Sequence, residues 1–346
     1  MKFIYQNMCD NVLKILFRVS GGKSNNRELG MGHIYRCLNL ASNFKKGNVF
    51  FAIEDFGGVK EVIIKRNFQK IFYLKKNTNL KNDLYDMINI IKKNNIDVIV
   101  VDIYKIQQSY LNVLRKYAKL VVITDLEKIN FSADLVVNGF VGFKNSIKQN
   151  KFNSKCLLGP KYQILDRRFE KIKVKNLNKQ KILITFGGYD KNNITEKLYE
   201  ILQNFTNNVD IKIILGPATK KTKKIKQFEK EYKKNIKIIT KTNNMPKEIS
   251  QASFGICAGG LTTYEFAAAN MPMAIICQYK HQLKTANEWE KQQMAINLGL
   301  NKKNIDIKII KLLEKIYSKK IKKTKKKIID GYGSKRVSKE ILQLIK

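Results

Sequence analysis

A chain of 346 residues with 44% apolar side chains and 10% aromatics is long enough for two ordinary domains, taking roughly 100–200 residues for each. Four prolines and five dispersed cysteines (Cys9, Cys37, Cys156, Cys257 and Cys277), with no CxxC or histidine-spaced pair, exclude a disordered chain or a disulfide scaffold and point to reduced thiols in a cytoplasmic setting. The net charge of +39 rests on 67 basic residues of which only eight are arginine, the side chain that forks onto phosphates and base edges, so no specific nucleic-acid partner is expected.

The excess lysine reads as a solvated surface. Its densest run, residues 315–327 (KIYSKKIKKTKKK), is the best candidate for weak attraction to an anionic surface. No basic-apolar-small pattern opens the chain, because Asn7, Asp10 and Asn11 interrupt it, and no signal peptide is expected. The longest apolar runs, DVIVVDIY at 97–104 and LVVIT at 120–124, fall far short of the ~20 residues of a membrane span.

Short apolar runs alternate with helical periodicity from end to end, the signature of parallel sheets covered by helices. A strand over 12–19 is followed by a glycine-rich loop and a helix over 33–44. Strands at 49–53, 71–73, 97–101, 120–124 and 134–138 then alternate with helices at 59–66, 80–94 and 111–117. The rhythm breaks between residues 139 and 180, which places a domain boundary there. A second series has strands at 181–185, 211–215, 236–239, 254–258 and 273–276. Its helices are expected at 193–204, 222–232, 245–252, 262–269 and 283–298, with further helices at the C-terminus. This predicts an α/β fold of two doubly wound halves, whose ligand lies in the cleft at the carboxyl ends of the strands.

Two glycine turns stand where chemistry is expected. Gly30-Met31-Gly32-His33-Ile34-Tyr35-Arg36 follows the first strand and opens the first helix, where bare N–H groups and the positive dipole end suit a diphosphate. It is neither the dinucleotide G-x-G-x-x-G fingerprint nor a P-loop. His33 stands at that helix start, positioned for general-base work on water or for capping without chemistry. His281 reads as a loop residue. The second turn, Gly259-Gly260-Leu261-Thr262-Thr263-Tyr264-Glu265, offers phosphate room, two hydroxyls for capping or for phosphate, and a carboxylate one turn in, fit for ribose hydroxyls or for simple dipole stabilisation. A third pair, Gly187-Gly188, leads to Asp190.

Taken together, GMGHIYRCLNLA (30–41), VVDIY (100–104), VVITDLEK (121–128), ADLVVNG (133–139), LGPKYQILDRRF (158–169), ITFGGYDKNNIT (184–195), CAGGLTTYEFAAANMP (257–272) and DGYGSKRV (330–337) resemble the UDP-sugar hydrolases of pseudaminic acid synthesis and their spore-coat polysaccharide relatives, of the MurG-like GT-B superfamily. The resemblance covers nearly the whole chain. It implies a GT-B architecture of two Rossmann-like domains, 1–165 with the catalytic histidine loop and 166–346 with the UDP site, the last helix being free to pack back on the first domain. It further implies hydrolysis of UDP-2,4-diacetamido-2,4,6-trideoxy-β-L-altrose to UDP and free sugar with inversion, without cofactor or metal.

By the same match His33 is the base. Gly30, Gly32, Arg36, Gly188, Asp190, Gly259, Gly260, Thr262, Thr263, Glu265, Gln282 and Asn287 are the substrate and UDP contacts. Asp102, Tyr104 and Asp125 are supporting groups. The family's acid after the first strand is Ser20 here, and its DHY and IDD become Asp102-Ile103-Tyr104 and Ile123-Thr124-Asp125. A UDP-sugar-dependent transferase of the same architecture, and a lysine-rich anion-binding protein, are the competing readings.

Overall fold

The computed structural model describes residues 13–22, 31–76, 79–174, 180–188, 190, 193–202, 209–216, 219, 221–231, 235–240, 242–302, 304–318 and 327–345. Two sheets organise them. The first takes β1 (Ile15–Gly22), β2 (Val49–Phe56), β3 (Lys70–Tyr73), β4 (Val98–Asp102), β5 (Lys119–Ile123), β6 (Leu135–Asn138), β7 (Ser146–Gln149) and β8 (Lys155–Leu158) in the order 3-2-1-4-5-6-8-7. All are parallel except β7, which pairs antiparallel with β8. The second takes β9 (Lys181–Thr185), β10 (Asp210–Ile214), β11 (Ile236–Ile239), β12 (Phe254–Cys257), β13 (Met273–Cys277) and β14 (Ala295–Leu300) in the order 11-10-9-12-13-14, all parallel.

Strands covered on both faces are continuously apolar, as the Val/Ile/Leu runs of β4 and β5 show. Alternate residues of β1 serve different cores. Ile15, Phe17 and Val19 pack under α1 (Gly32–Ala41), α2 (Val59–Lys65) and α11 (Gly333–Gln343), while Leu16 packs with α3 (Leu80–Asn94) and α4 (Gln108–Leu114). The second sheet repeats the plan. Ile182 and Ile184 meet α5 (Ile194–Leu202), α6 (Lys223–Glu231) and α10 (Ile305–Tyr317), whereas Leu183 faces α7 (Met245–Ser250), α8 (Leu261–Ala268) and α9 (Gln282–Lys291).

Both sheets reverse their strand order beside the first strand, between β1 and β4 and between β9 and β12. Loops leaving adjacent strands toward opposite faces open a crevice at such points, at the carboxyl ends. His33, Asp102, Gly188 and Gly259 all follow or end these four strands.

The segment joining the sheets buries Tyr162 and Ile164 in the first core and Leu165 and Phe169 in the second. α11 crosses back. Val337 and Ile341 are fully buried in the first core, Asn43 Nδ2 donates to Ser334 Oγ (2.7 Å), and Ser334 Oγ donates to the Asn39 carbonyl (2.9 Å).

Two elements differ from the sequence expectation. The helix expected over 283–298 ends at Lys291, turns through Gln293 at φ 57 and continues as β14, because Ala295 to Leu300 find a ladder along β13. The stretch 139–180, expected to be irregular, contains the β7–β8 hairpin, turned by Asn153 at φ 57.

Candidate active site

α1 begins directly behind Met31 with no side-chain cap, so its first N–H groups face the crevice. A Cβ at Gly32 would meet nothing within 4 Å, which leaves the helix end open to a ligand. Gly30 lies outside the described residues. His33 points back to β4, donating from Nδ1 to Asp102 Oδ1 at 2.6 Å, and this bond leaves Nε2 as the basic nitrogen. The side chain is 19% exposed, while Asp102 is completely buried.

Arg36, expected to contact substrate, turns inward instead. Its Nε and Nη2 donate to both oxygens of Asp102 (2.9 and 2.7 Å), and Nη1 donates to Asp125 Oδ1 (2.5 Å). One turn of helix separates His33 from Arg36, so both side chains reach the same carboxylate. Arg36 is therefore a buried positioning group, because its fork is spent on two carboxylates and is withdrawn from solvent. Asp125, two residues past β5, closes the network from outside with a side chain 57% exposed. Tyr104 lies two residues past β4 and is exposed.

Burial alone would raise the Asp102 carboxyl, yet the Arg36 guanidinium and His33 hold it far below the usual carboxylate range. For His33, burial opposes protonation and Asp102 overrides it, so the imidazole titrates above its ordinary value, with Arg36 tempering the rise. Asp125 is lowered as well, chiefly by Arg36.

The opposite wall is built by α8. Gly259 has to be glycine, since a Cβ there would lie 2.8 Å from Gln282 Cβ and 3.0 Å from the Gln282 carbonyl oxygen. Gly260 caps the helix and a Cβ on it would meet nothing within 4 Å. Thr262 is buried on the first turn. Thr263, expected at a phosphate, is fully buried, donates its hydroxyl to the Gly260 carbonyl (2.8 Å) and accepts from Trp289 Nε1 (2.9 Å). Its one proton is committed, so it fixes α9 on α8 and has none left for a ligand. Glu265 is partly buried in the second turn of α8, its carboxyl pushed up to about 7 by burial and by the nearby Asp166.

Asp190 is likewise a fold residue: it is buried and accepts from the Ile194 and Thr195 N–H groups (3.0 and 2.8 Å) and from Thr195 Oγ1 (2.6 Å). The start of α5 uses its carboxylate up. Gln282, buried at the start of α9, accepts from the Gln278 N–H at 2.8 Å. Asn287 is not brought beside it, since five residues turn α9 by roughly 140°, and its Oδ1 accepts from Asn297 of β14 at 2.6 Å.

The two walls touch. A Cβ on Gly188 would lie 3.1 Å from Met31 Cβ, which puts the turn after β9 against the start of α1. The Val141 N–H donates to Tyr264 Oη at 3.3 Å, Lys284 pairs with Glu127, and Arg66 pairs with Asp166 at 3.2 Å. Tyr264 thus binds the α8 wall to the loop after β6, a link that its place among apolar helix residues does not announce.

On the other face of the first sheet, Arg18 reaches Asp83 Oδ2 (2.6 Å) and Glu54 Oε2 (3.0 Å), Ser20 Oγ donates to Glu54 Oε2 (2.6 Å), and Tyr110 donates to Asp83 Oδ1 (2.7 Å). Ser20 and Glu54 are register partners on β1 and β2. The carboxylate that resemblance places at residue 20 comes here from the neighbouring strand.

Residues 167–341, from the connecting segment to α11, match the glycosyltransferase family 28 C-terminal domain. This chain belongs to that family. An uncharacterized protein of Methanocaldococcus jannaschii is 31% identical over 291 residues, which cover 79% of this chain and 58% of that protein. The family 28 chain therefore spans somewhat over half of that relative. The spore coat polysaccharide biosynthesis protein SpsG of Bacillus subtilis is 25% identical over 334 residues, 90% of this chain and 94% of SpsG. The crystal structure of Acinetobacter baumannii MurG superposes with a TM-score of 0.65 at 13% identity, covering 95% of this chain and 99% of that one. The fold is thus the two-sheet GT-B arrangement. Among the described residues no group of three or more His, Cys, Asp or Glu could hold a metal ion, and no helix is long and apolar enough to cross a membrane.

Proposed function

We propose that this family 28 protein hydrolyses a UDP-linked diacetamido-trideoxy sugar, UDP-2,4-diacetamido-2,4,6-trideoxy-β-L-altrose, to UDP and free sugar, as a cytoplasmic step in making pseudaminic acid or a related surface polysaccharide. The observation that carries this reading is the His33–Asp102 hydrogen bond. It gives the imidazole one fixed tautomer, with Nε2 at the crevice where a water can be deprotonated. The similarity to SpsG, named for polysaccharide biosynthesis, supports the setting.

In this mechanism the diphosphate lies between the starts of α1 and α8, where Gly32 and Gly260 leave backbone room. Glu265 accepts from the ribose hydroxyls. His33 Nε2 takes a proton from water as its oxygen bonds to the anomeric carbon and the bond to the β-phosphate oxygen breaks with inversion. The helix N–H groups stabilise the departing diphosphate, so it leaves as the anion without an added proton. Arg36 keeps Asp102 ionised and in place, and Asp125 holds Arg36 from its other side.

The test is release of UDP from that substrate, with UDP-N-acetylglucosamine alongside, no acceptor and a chelator present. UDP and free sugar in equal amounts are expected. UDP that binds but is not released would favour the second reading, transfer of the sugar to an acceptor, which the family's own description supports.

A further inference from the structure

We propose that Leu126 is a positioning residue for His33, acting by holding Asp125 on Arg36 from an anchor shared with the second wall of the crevice. The inference rests on the reading of His33 as the base. Asp125 takes both ends of the Arg36 fork, Nη1 on Oδ1 at 2.5 Å and Nη2 on Oδ2 at 3.3 Å. Its side chain is nevertheless 57% exposed, so burial does not fix its place and the turn that carries it has to.

That turn, just past β5, is pinned on two sides. On one, Asn138 at the end of β6 is fully buried and donates from Nδ2 to the Leu126 carbonyl at 2.8 Å and to the Lys128 carbonyl at 3.1 Å. On the other, the Leu126 side chain packs against the cluster that holds Val141 together with Tyr264 of α8 and Trp289 of α9. The backbone shows that this side chain is needed. Leu126 has φ 54, a left-handed conformation in which leucine is strained and asparagine is at ease. Every other described residue with positive φ is glycine, asparagine or glutamine. Strain of this kind persists where the surroundings over-determine the conformation, and the apolar contact is what they supply here. The Glu127–Lys284 pair spans the crevice from the same turn, but its side chains are 66% and 55% exposed, and such a pair holds a loop weakly.

The place of Asp125 reaches the imidazole through charge. His33 is faced by Asp102 from β4, by Arg36 from its own helix and by Asp125 from the turn. The Cys37 thiol, which donates to Asp102 Oδ2 at 3.6 Å, and the Tyr264 hydroxyl, close to Arg36 and Asp125, are kept neutral by burial. Arg36 weakens the base and Asp125 offsets it. An Asp125 that swings into solvent leaves the guanidinium uncompensated, and the imidazolium then gives up its proton at lower pH.

The chain has two histidines, so the His33 imidazole can be titrated by NMR in the full chain, with His33→Gln assigning its signal. Asp125→Asn should lower the midpoint by about half a pH unit or more, short of the roughly 1–3 of a charge in direct contact because Asp125 acts past Arg36. Leu126→Asn removes the apolar anchor at no backbone cost and should lower the midpoint by most of that amount. The double variant Leu126→Asn/Asp125→Asn should titrate as Asp125→Asn does, because a residue acting through Asp125 adds nothing once that charge is gone. Leu126→Met and Glu127→Gln should titrate as wild type. In turnover of the UDP-sugar, kcat of Leu126→Asn should fall about tenfold, less than the roughly hundredfold loss of a disabled base, with KM unchanged. Leu126→Gly, which relieves the strain as it removes the anchor, repeats the series should Leu126→Asn fold poorly.

A wild-type midpoint in Leu126→Asn overturns the proposal. So do additive shifts in the double variant, a Leu126→Met that titrates like Leu126→Asn, or an equal shift in Glu127→Gln, which would assign the effect to loop charge. A wild-type chain that releases no UDP sinks the hydrolase reading, while the histidine titration still decides what holds Asp125.

Discussion

His33 and Asp102, 69 residues apart in sequence, are joined by a 2.6 Å hydrogen bond whose acceptor is fully buried and held on its other side by Arg36. A buried carboxylate with two cationic or polar partners is fixed in charge and in place, so the imidazole has one orientation. Asp102→Asn removes the charge while keeping the shape. Turnover of the UDP-sugar should fall about a hundredfold or more, the scale for disabling a general base, with UDP affinity in calorimetry unchanged. The variant should also lose roughly 3–5 kcal/mol in denaturant unfolding, because Arg36 is left buried against a neutral amide. Near-normal turnover in Asp102→Asn would refute the dyad.

The pH dependence follows from the directions of the shifts. His33 works as a base only when neutral, and Asp102 raises its proton affinity, so the rate should rise with pH through a midpoint above the ordinary 6.5 of histidine. In Asp102→Asn that midpoint should move down by the loss of the carboxylate. Stability has the matching signature. Asp102, depressed in the fold, contributes stability above about 3.9 that disappears as pH falls through its folded value. His33, raised in the fold, contributes stability that is complete below about 6.5 and disappears as pH rises through its folded value. Rate profiles through the neutral range, and urea midpoints followed from neutral pH to well below pH 3, check both.

Much of this architecture was legible because parallel sheets write themselves as buried apolar runs, and β4, β5, β9 and β13 fall within a residue or two of the expected strands. Helix α9 and strand β14 were not separable by pattern, since residues 283–298 satisfy a helical period and only the ladder to β13 selects extended chain from Ala295 onward. The glycine turns and His33 could be read from local chemistry. What Arg36, Thr263 and Asp190 do could not, because spacing places a residue on an element but does not say which of two neighbours its polar atoms face. Arg36 turns to Asp102 and Asp125, Thr263 to Gly260 and Trp289, and Asp190 to the start of α5. Those partners come from elements far apart in sequence or from the helix's own end.

Glu265 carries a carboxyl pushed up to about 7 by burial and by Asp166. Ribose hydroxyls that donate to it favour the ionised form, so bound nucleotide should pull its proton off. UDP affinity should therefore rise with pH between about 5.5 and 7 and level off above it, with proton release on binding below pH 7. Glu265→Gln should bind UDP more weakly and without this pH dependence. The same variant should be no less stable than wild type above pH 7, since the amide never has to ionise in a partly buried site. Calorimetry in two buffers of different ionisation enthalpy measures the proton count. A count of zero together with wild-type affinity in Glu265→Gln would exclude the ribose role.

The adjacent glycines of the second turn should answer differently to the same substitution. An alanine at Gly259 would put its Cβ 2.8 Å from Gln282 Cβ and 3.0 Å from the Gln282 carbonyl oxygen, whereas at Gly260 it would meet nothing within 4 Å. Neither glycine has positive φ, so the contrast is one of space rather than backbone strain. Gly259→Ala must push the start of α9 away from the turn, and an overpacked site of this kind typically costs about 1–3 kcal/mol. Its melting temperature should drop, and UDP binding with it. Gly260→Ala should melt with the wild type, because the added methyl points into open crevice, yet bind UDP more weakly where that methyl takes the room of the diphosphate. Loss of stability in both variants, or unchanged UDP affinity in Gly260→Ala, would show that the turn serves packing and not a ligand.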